Sequence, residues 1–146
     1  MAINSDDVVR LRAVIGRLSR QLNVSVADVG LSPSQLSVLG SVARRGPLGI
    51  SELAEREGIN PTMLSRIVGK LDDAGLISRI AHPDDGRAAL VEATAAGRTL
   101  HKRVQAQRAM LLADRLEQLD PAQATTVVAA LDALEALSAI EVPATR

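Results

Sequence analysis

Covalent chemistry finds little to work with in this 146-residue chain. There are two histidines, His82 and His101, and no cysteine. Neither histidine has a nucleophile or a set of metal donors beside it in the sequence, so a hydrolytic triad or a zinc site is not expected. His101 reads as a surface or interface residue and His82 as part of a loop. The neighbouring carboxylates Asp72-Asp73 and Asp84-Asp85 point apart on a helix or strand, which makes them poor acid/base pairs; a helix end and a turn account for them. Without cysteine there is no disulfide, thiolate metal site, thiol nucleophile or thiol switch. We therefore expect no enzyme, no metal and no cofactor.

Residues 61–71 suit recognition better than catalysis. At about 100° per residue, Leu64, Ile67, Val68 and Leu71 fall on one face at i, i+3, i+4 and i+7. The opposite face is small and polar, with Thr62, Ser65, Arg66 and Gly69, and Met63 and Lys70 at its edges. Such a face fits the DNA major groove: hydroxyls for base edges, an arginine for bidentate contact with guanine, and a methyl-bearing side chain for the thymine methyl group. The helix start at Asn60-Pro61 adds backbone N–H groups suited to phosphate. Gly69 either permits close approach to DNA or is merely tolerated, at about 1 kcal/mol relative to alanine in a helix.

Such a helix must be held by other elements, and proline and glycine mark where they lie. Ser32-Pro33, Asn60-Pro61 and Asp120-Pro121 each put a capping residue before a proline at the first helical position. Gln35 and Gln123 complete capping boxes at two of them. Further starts are expected near Ser5, at Ser51 and at Thr94. Gly46, Gly58 and Gly75 each fall just past an amphipathic segment, where a left-handed residue closes a helix. The expected helices cover 5–28, 32–45, 51–57, 61–74, 95–118 and 121–140.

Only 76–93 differs, with two short runs, Leu76 to Ala81 and Arg87 to Ala93, about a turn at 82–86. That predicts a mainly α protein with one small β-hairpin. Ser51 to Ile59 supplies the first helix and turn of a helix-turn-helix, with Leu53, Ala54 and Ile59 buried. A hairpin directly after the recognition helix makes it a winged helix, spanning 32–93. In the wing Arg87 is placed to enter the minor groove, while Asp85, with Gly86 between them in the turn, is expected to hold Arg87 or the turn backbone.

Apolar residues of the terminal helices, 5–28 and 95–140, form stripes: Val8, Leu11, Ile15, Leu18 and Leu22, then Val127, Leu131 and Leu134. Stripes of this spacing seek partner helices. Either the two ends pack on each other within one protomer, or they build a homodimer, for which they carry more apolar surface than the central unit covers.

Composition narrows the partner. With no Phe, Tyr or Trp the chain lacks the stacking platforms of single-strand and RNA binders. The 17 basic and 17 acidic residues cancel, yet residues 10–108 hold 15 basic against 9 acidic, a net of +6 in the part that would face a polyanion. No apolar run approaches the roughly 20 residues of a membrane span, and the first ten residues lack a leader's apolar segment. No membrane partner is expected, and the location expected is the cytoplasm.

The sequence resembles the MarR family of bacterial winged-helix regulators. The resemblance rests on Leu36 and Leu39, on Ser51 to Gly58, and on Met63-Leu64-Ser65-Arg66-Ile67-Val68 with Leu71. It continues through Gly75-Leu76-Ile77, Arg79 and the wing run Asp85-Gly86-Arg87, then Leu90-Val91 to Thr94 and Gly97; Ala93 stands where leucine is usual. It covers residues 33–103 by motif and the flanks by architecture. It implies a homodimer with interlocked terminal helices, two winged-helix lobes on palindromic double-stranded DNA, and repression relieved by a small phenolic or lipophilic effector. Carried over by the resemblance, the recognition-helix contacts with DNA are Pro61, Thr62, Met63, Ser65 and Arg66, with Lys70 on phosphate and Arg87 in the minor groove. An effector pocket without aromatics would have aliphatic walls, with Arg or His to meet a carboxylate or phenol. The same features leave a second reading open, a winged-helix module for protein interaction or dimerisation that does not bind DNA; apolar anchors on the 61–74 helix would mark it.

Overall fold

The computed structural model describes residues 3–84 and 89–140. It forms two compact units, residues 1–108 and 109–146.

In the first unit the caps act where the sequence puts them. Asn4 Oδ1 accepts from the Asp6 N–H (3.0 Å) and opens α1, Ser5–Val24. Helix α1 ends earlier than the expected residue 28, because the Ser25 hydroxyl donates to the Leu22 carbonyl (2.6 Å) and Val26 turns inward to complete burial. A single 3₁₀ turn, Ala27–Val29, follows and is closed by Gly30 at φ 79°. The Ser32/Gln35 capping box then starts α2, Pro33–Arg45, which stops at Gly46.

Two further departures share one cause. Strand β1, Leu48–Gly49, was not expected: two residues are too few to show alternation. It pairs antiparallel with Val91 and Leu90, which keeps the backbone extended as far as Gly49. Helix α3, Ile50–Glu57, therefore begins from Gly49 without a side-chain cap, and Ser51 lies inside it instead of capping it. Gly58 (φ 64°) ends α3, and Asn60 Oδ1, accepting from the Met63 N–H at 2.8 Å, opens α4, Pro61–Asp73.

Strands β2, Ile77–Ala81, and β3, Ala89–Ala93, pair from Ile77↔Ala93 to Ala81↔Ala89, giving a three-stranded antiparallel sheet in the order β1-β3-β2. Thr94 then starts α5, Ala95–Glu117: its hydroxyl accepts from the Gly97 N–H (3.1 Å) and donates to the Gly75 carbonyl (2.6 Å). A core of Val38, Leu39, Val42, Leu53, Ala54, Leu64, Ile67, Val68 and Leu71 closes against Leu48, Ile77, Val91 and Ala93 of the sheet. A smaller cluster, Val26, Leu36 and Val104, ties the segment after α1 to α2 and α5.

In the second unit the Asp120/Gln123 box starts α6, Pro121–Ala129, and α7 follows at Leu131–Ser138. A continuous helix over 121–140 was expected. The Thr125 and Thr126 hydroxyls instead donate back to the Pro121 and Ala122 carbonyls (2.8 Å each), competing with the helical N–H donors. The Ala130 N–H is then shared among the Thr126, Val127 and Val128 carbonyls, and the helix is interrupted there.

Candidate nucleic-acid interface

Helix α4 divides as its spacing predicts. Leu64, Ile67, Val68 and Leu71 are buried, while Pro61, Thr62, Met63, Ser65, Arg66 and Lys70 are exposed. Met63 is 51% exposed, a solitary large apolar side chain on this face. Among the described residues neither Arg66 nor Lys70 has an ion-pair partner, so both cations are available to an anion outside the chain. A Cβ added at Gly69 would meet nothing within 4 Å, so nothing inside the protomer requires glycine there.

The angle of α4 is set by α3 and the turn. Leu53 and Ala54 are buried and Ile59 packs partly against the core, as expected. The Ile59 N–H bonds back to the Ala54 carbonyl (3.1 Å), locking the left-handed turn at Gly58. Of the N–H groups at the start of α4, that of Met63 is already taken by Asn60, which narrows the phosphate site expected there. Asp85, Gly86 and Arg87, expected in the wing, lie outside the described residues.

A cleft of about 570 Å³ within the first unit is lined by α1, α2 and α5, with aliphatic, arginine and histidine side chains that the sequence alone did not single out as a set. Its walls include Ile15, Leu18, Leu22, Leu36, Leu39 and Val104, with Ser37, Arg44, His101 and Arg108 among the polar groups; no carboxylate lines it. Arg108 Nη2 donates to Asn23 Oδ1 (3.1 Å), whereas Arg108 Nε is buried without a partner. His101, expected at a surface or interface, is a half-buried wall residue of this cleft: it sits against Gly40, where an added Cβ would come within 3.3 Å of the ring. Burial, and after it the Arg44 and Arg108 charges, hold its pKa below the ordinary 6.5. The available signals were spacings: His101 and Arg108 are two turns apart on one helix, and Gly40 and Arg44 one turn apart on another.

No helix among the described residues is long and apolar enough to cross a membrane, and no group of three or more metal-binding side chains occurs among them.

A profile of the MarR family matches residues 31–89, the stretch from the start of α2 into β3. The HTH-type transcriptional regulator Mb0904 of Mycobacterium bovis is 35% identical over 127 residues, 87% of this chain and 89% of that one. The HTH-type transcriptional repressor MdtR of Bacillus subtilis is 30% identical over 115 residues, 79% of this chain and 74% of that one. Among solved structures, Rv1404 of Mycobacterium tuberculosis superposes with a TM-score of 0.81 at 27% identity, covering 96% of this chain and 98% of that one. Apo MarR of E. coli, at 20% identity, shares the fold with a TM-score of 0.75 over 92% of this chain and 98% of its own. With the helix-turn-helix, the sheet and a relative matched over most of both lengths, this chain belongs to the MarR family of transcriptional regulators.

Proposed function

We propose that the protein is a sequence-specific double-stranded-DNA-binding regulator, a repressor that works as a homodimer in the cytoplasm and is released by a small molecule. The observation that carries the reading is the outer face of α4: Thr62, Ser65, Arg66 and Lys70 are exposed on a helix whose other face is fully used in the core. Hydroxyls and Arg66 read bases and Lys70 holds phosphate, with Pro61 and Met63 at the leading edge. In this reading Arg87 contacts the minor groove, with Asp85 and Gly86 in the supporting role expected of them from the sequence. A protein-interaction module would need apolar anchors on this face, where only Met63 is large and apolar.

Dimerisation through 5–28 and 95–140 is supported by the apolar side chains each unit leaves in solvent. In the first, Val8, Leu11, Ile15 and Leu18 are each at least 40% exposed. In the second, Val127, Val128, Leu131, Leu134 and Leu137 are too. Bands of this size mark association surfaces. Palindromic DNA is the matching partner, since a two-fold protein presents two recognition helices.

The 570 Å³ cleft is the effector site in this reading. Two arginines, a histidine, aliphatic walls and no carboxylate suit a compact organic anion, such as a carboxylate or phenolate with an apolar body. The test is sedimentation of the protein with a duplex, joined to a salt titration. Two protomers per duplex and a log–log salt slope of several units, about 0.9 per phosphate contacted, are expected. A monomer, or affinity indifferent to salt, would contradict the proposal.

A further inference from the structure

Glu57 is the last residue of α3, where the helix dipole opposes a negative charge. Its carboxylate is nevertheless held in place. Ser37 Oγ donates to Oε2 at 2.6 Å and Ser41 Oγ donates to Oε1. The two serines lie one turn apart on the same face of α2, and Ser41 is buried. Two hydroxyl donors thus offset a charge that its own helix end disfavours.

The position gives this clamp leverage. Gly58, Ile59 and Asn60 follow, the turn and cap that aim α4. Glu57 is therefore the last residue of α3, hydrogen-bonded to α2 just before the chain turns toward the recognition helix. Ser37, the other end of the tie, also lines the cleft, together with Arg44, His101 and Arg108. One side chain belongs to both structures, and a serine hydroxyl has a single hydrogen to donate.

We propose that Ser37, Ser41 and Glu57 form a clamp that positions α4 for DNA, and that an anion in the cleft opens it by taking the Ser37 hydroxyl from Glu57. The inference rests on the DNA-binding reading above and names how the cleft acts on it. Glu57 is a positioning residue. An anionic occupant acts in two ways, by accepting the Ser37 hydrogen bond and by repelling the Glu57 carboxylate.

The test needs no identified effector. Full-length wild type selects its operator from a randomised duplex library, and four variants are titrated against that operator and against a scrambled duplex. Ser37→Ala removes one arm of the clamp, and Ser37→Thr keeps the hydroxyl. Ser37→Asp puts a carboxylate at the cleft edge of the clamp, and Ser34→Asp, on exposed surface one turn earlier in α2, controls for added charge. We expect Ser37→Ala to lose roughly tenfold on the operator and little on the scrambled duplex, with Ser37→Thr close to wild type. Ser37→Asp should lose at least that much more than Ser34→Asp. Equal losses on both duplexes would reduce the clamp to a fold element and overturn the proposal. So would wild-type affinity in Ser37→Ala, or equal effects of the two aspartates. If wild type itself enriches no duplex, the DNA-binding reading fails first, a result distinct from any of these.

Discussion

Gly97, in the first turn of α5, lies directly against the backbone of Leu76, the residue that precedes β2. A methyl group at Gly97 would overlap the Leu76 carbonyl oxygen, and Leu39 Cδ1 stands 3.2 Å from the same point. The close approach is reinforced beside it, where the Thr94 N–H donates to the same Leu76 carbonyl (3.1 Å). Backbone cannot give way as a flexible side chain does, so Gly97→Ala should destabilise the protein by about 1–3 kcal/mol or more. Denaturant midpoints measure this, and an unchanged midpoint would mean that α5 is free to shift.

On α4 the two cations should separate by experiment. Arg66→Ala should cost about 1–3 kcal/mol on the preferred sequence and relax its preference, while Lys70→Ala should weaken all sequences alike and lower the salt slope by about one. Parallel anisotropy titrations on operator and scrambled duplexes check both. Wild-type operator affinity in Arg66→Ala would show that another face of α4 meets DNA.

Gly69 offers a clean separation of stability from binding. Its Cβ position is open space within a helix, so Gly69→Ala should stabilise the fold by about 0.5–1 kcal/mol. If DNA approaches closely there, the same variant binds its operator less tightly; thermal melts and binding titrations on one sample decide. Higher stability with unchanged affinity would mean that the glycine is merely tolerated.

These positions were legible in the sequence to different degrees. Leu64, Ile67, Val68 and Leu71 announce the buried face of α4 by spacing alone, and Asn60-Pro61, Ser32-Pro33 and Asp120-Pro121 announce helix starts by cap chemistry. Gly46, Gly58 and Gly75 take the positive φ values expected of helix closures. Other features depend on partners distant in sequence. Leu48–Gly49 becomes a strand only because Leu90 and Val91 lie alongside, and that pairing moves the start of α3 away from Ser51. Likewise Arg44, His101 and Arg108 gather around a cleft only once α5 crosses α2 at Gly40, and Ser37 and Ser41 meet Glu57 across 20 and 16 residues of chain.

His101 ties the cleft to pH. Its pKa lies below 6.5 through burial and then the Arg44 and Arg108 charges, so the unfolded chain takes up a proton at this site before the folded protein does. The stability associated with neutral His101 is present above pH 6.5 and declines as the pH falls through 6.5 toward the lower folded value. His101→Gln should flatten that part of the profile, measured by denaturant midpoints across the same window. An anion beside the ring favours its charged form, so benzoate, used as a probe, should bind more tightly on acidification and with proton uptake. Calorimetry in buffers of different ionisation enthalpy reads that uptake directly, and equal heats would separate His101 from the anion.

Whether α4 reads duplex DNA as part of a two-fold protein is decided by selection of the purified protein on a randomised duplex library at about 150 mM salt, where non-specific electrostatic binding is suppressed. Enrichment of a palindrome whose half-sites are centred about 10 base pairs apart, one helical turn, is expected. A pool with no enriched sequence, from protein shown by mass spectrometry to carry no co-purified ligand, would contradict it and favour a winged helix that meets other proteins instead.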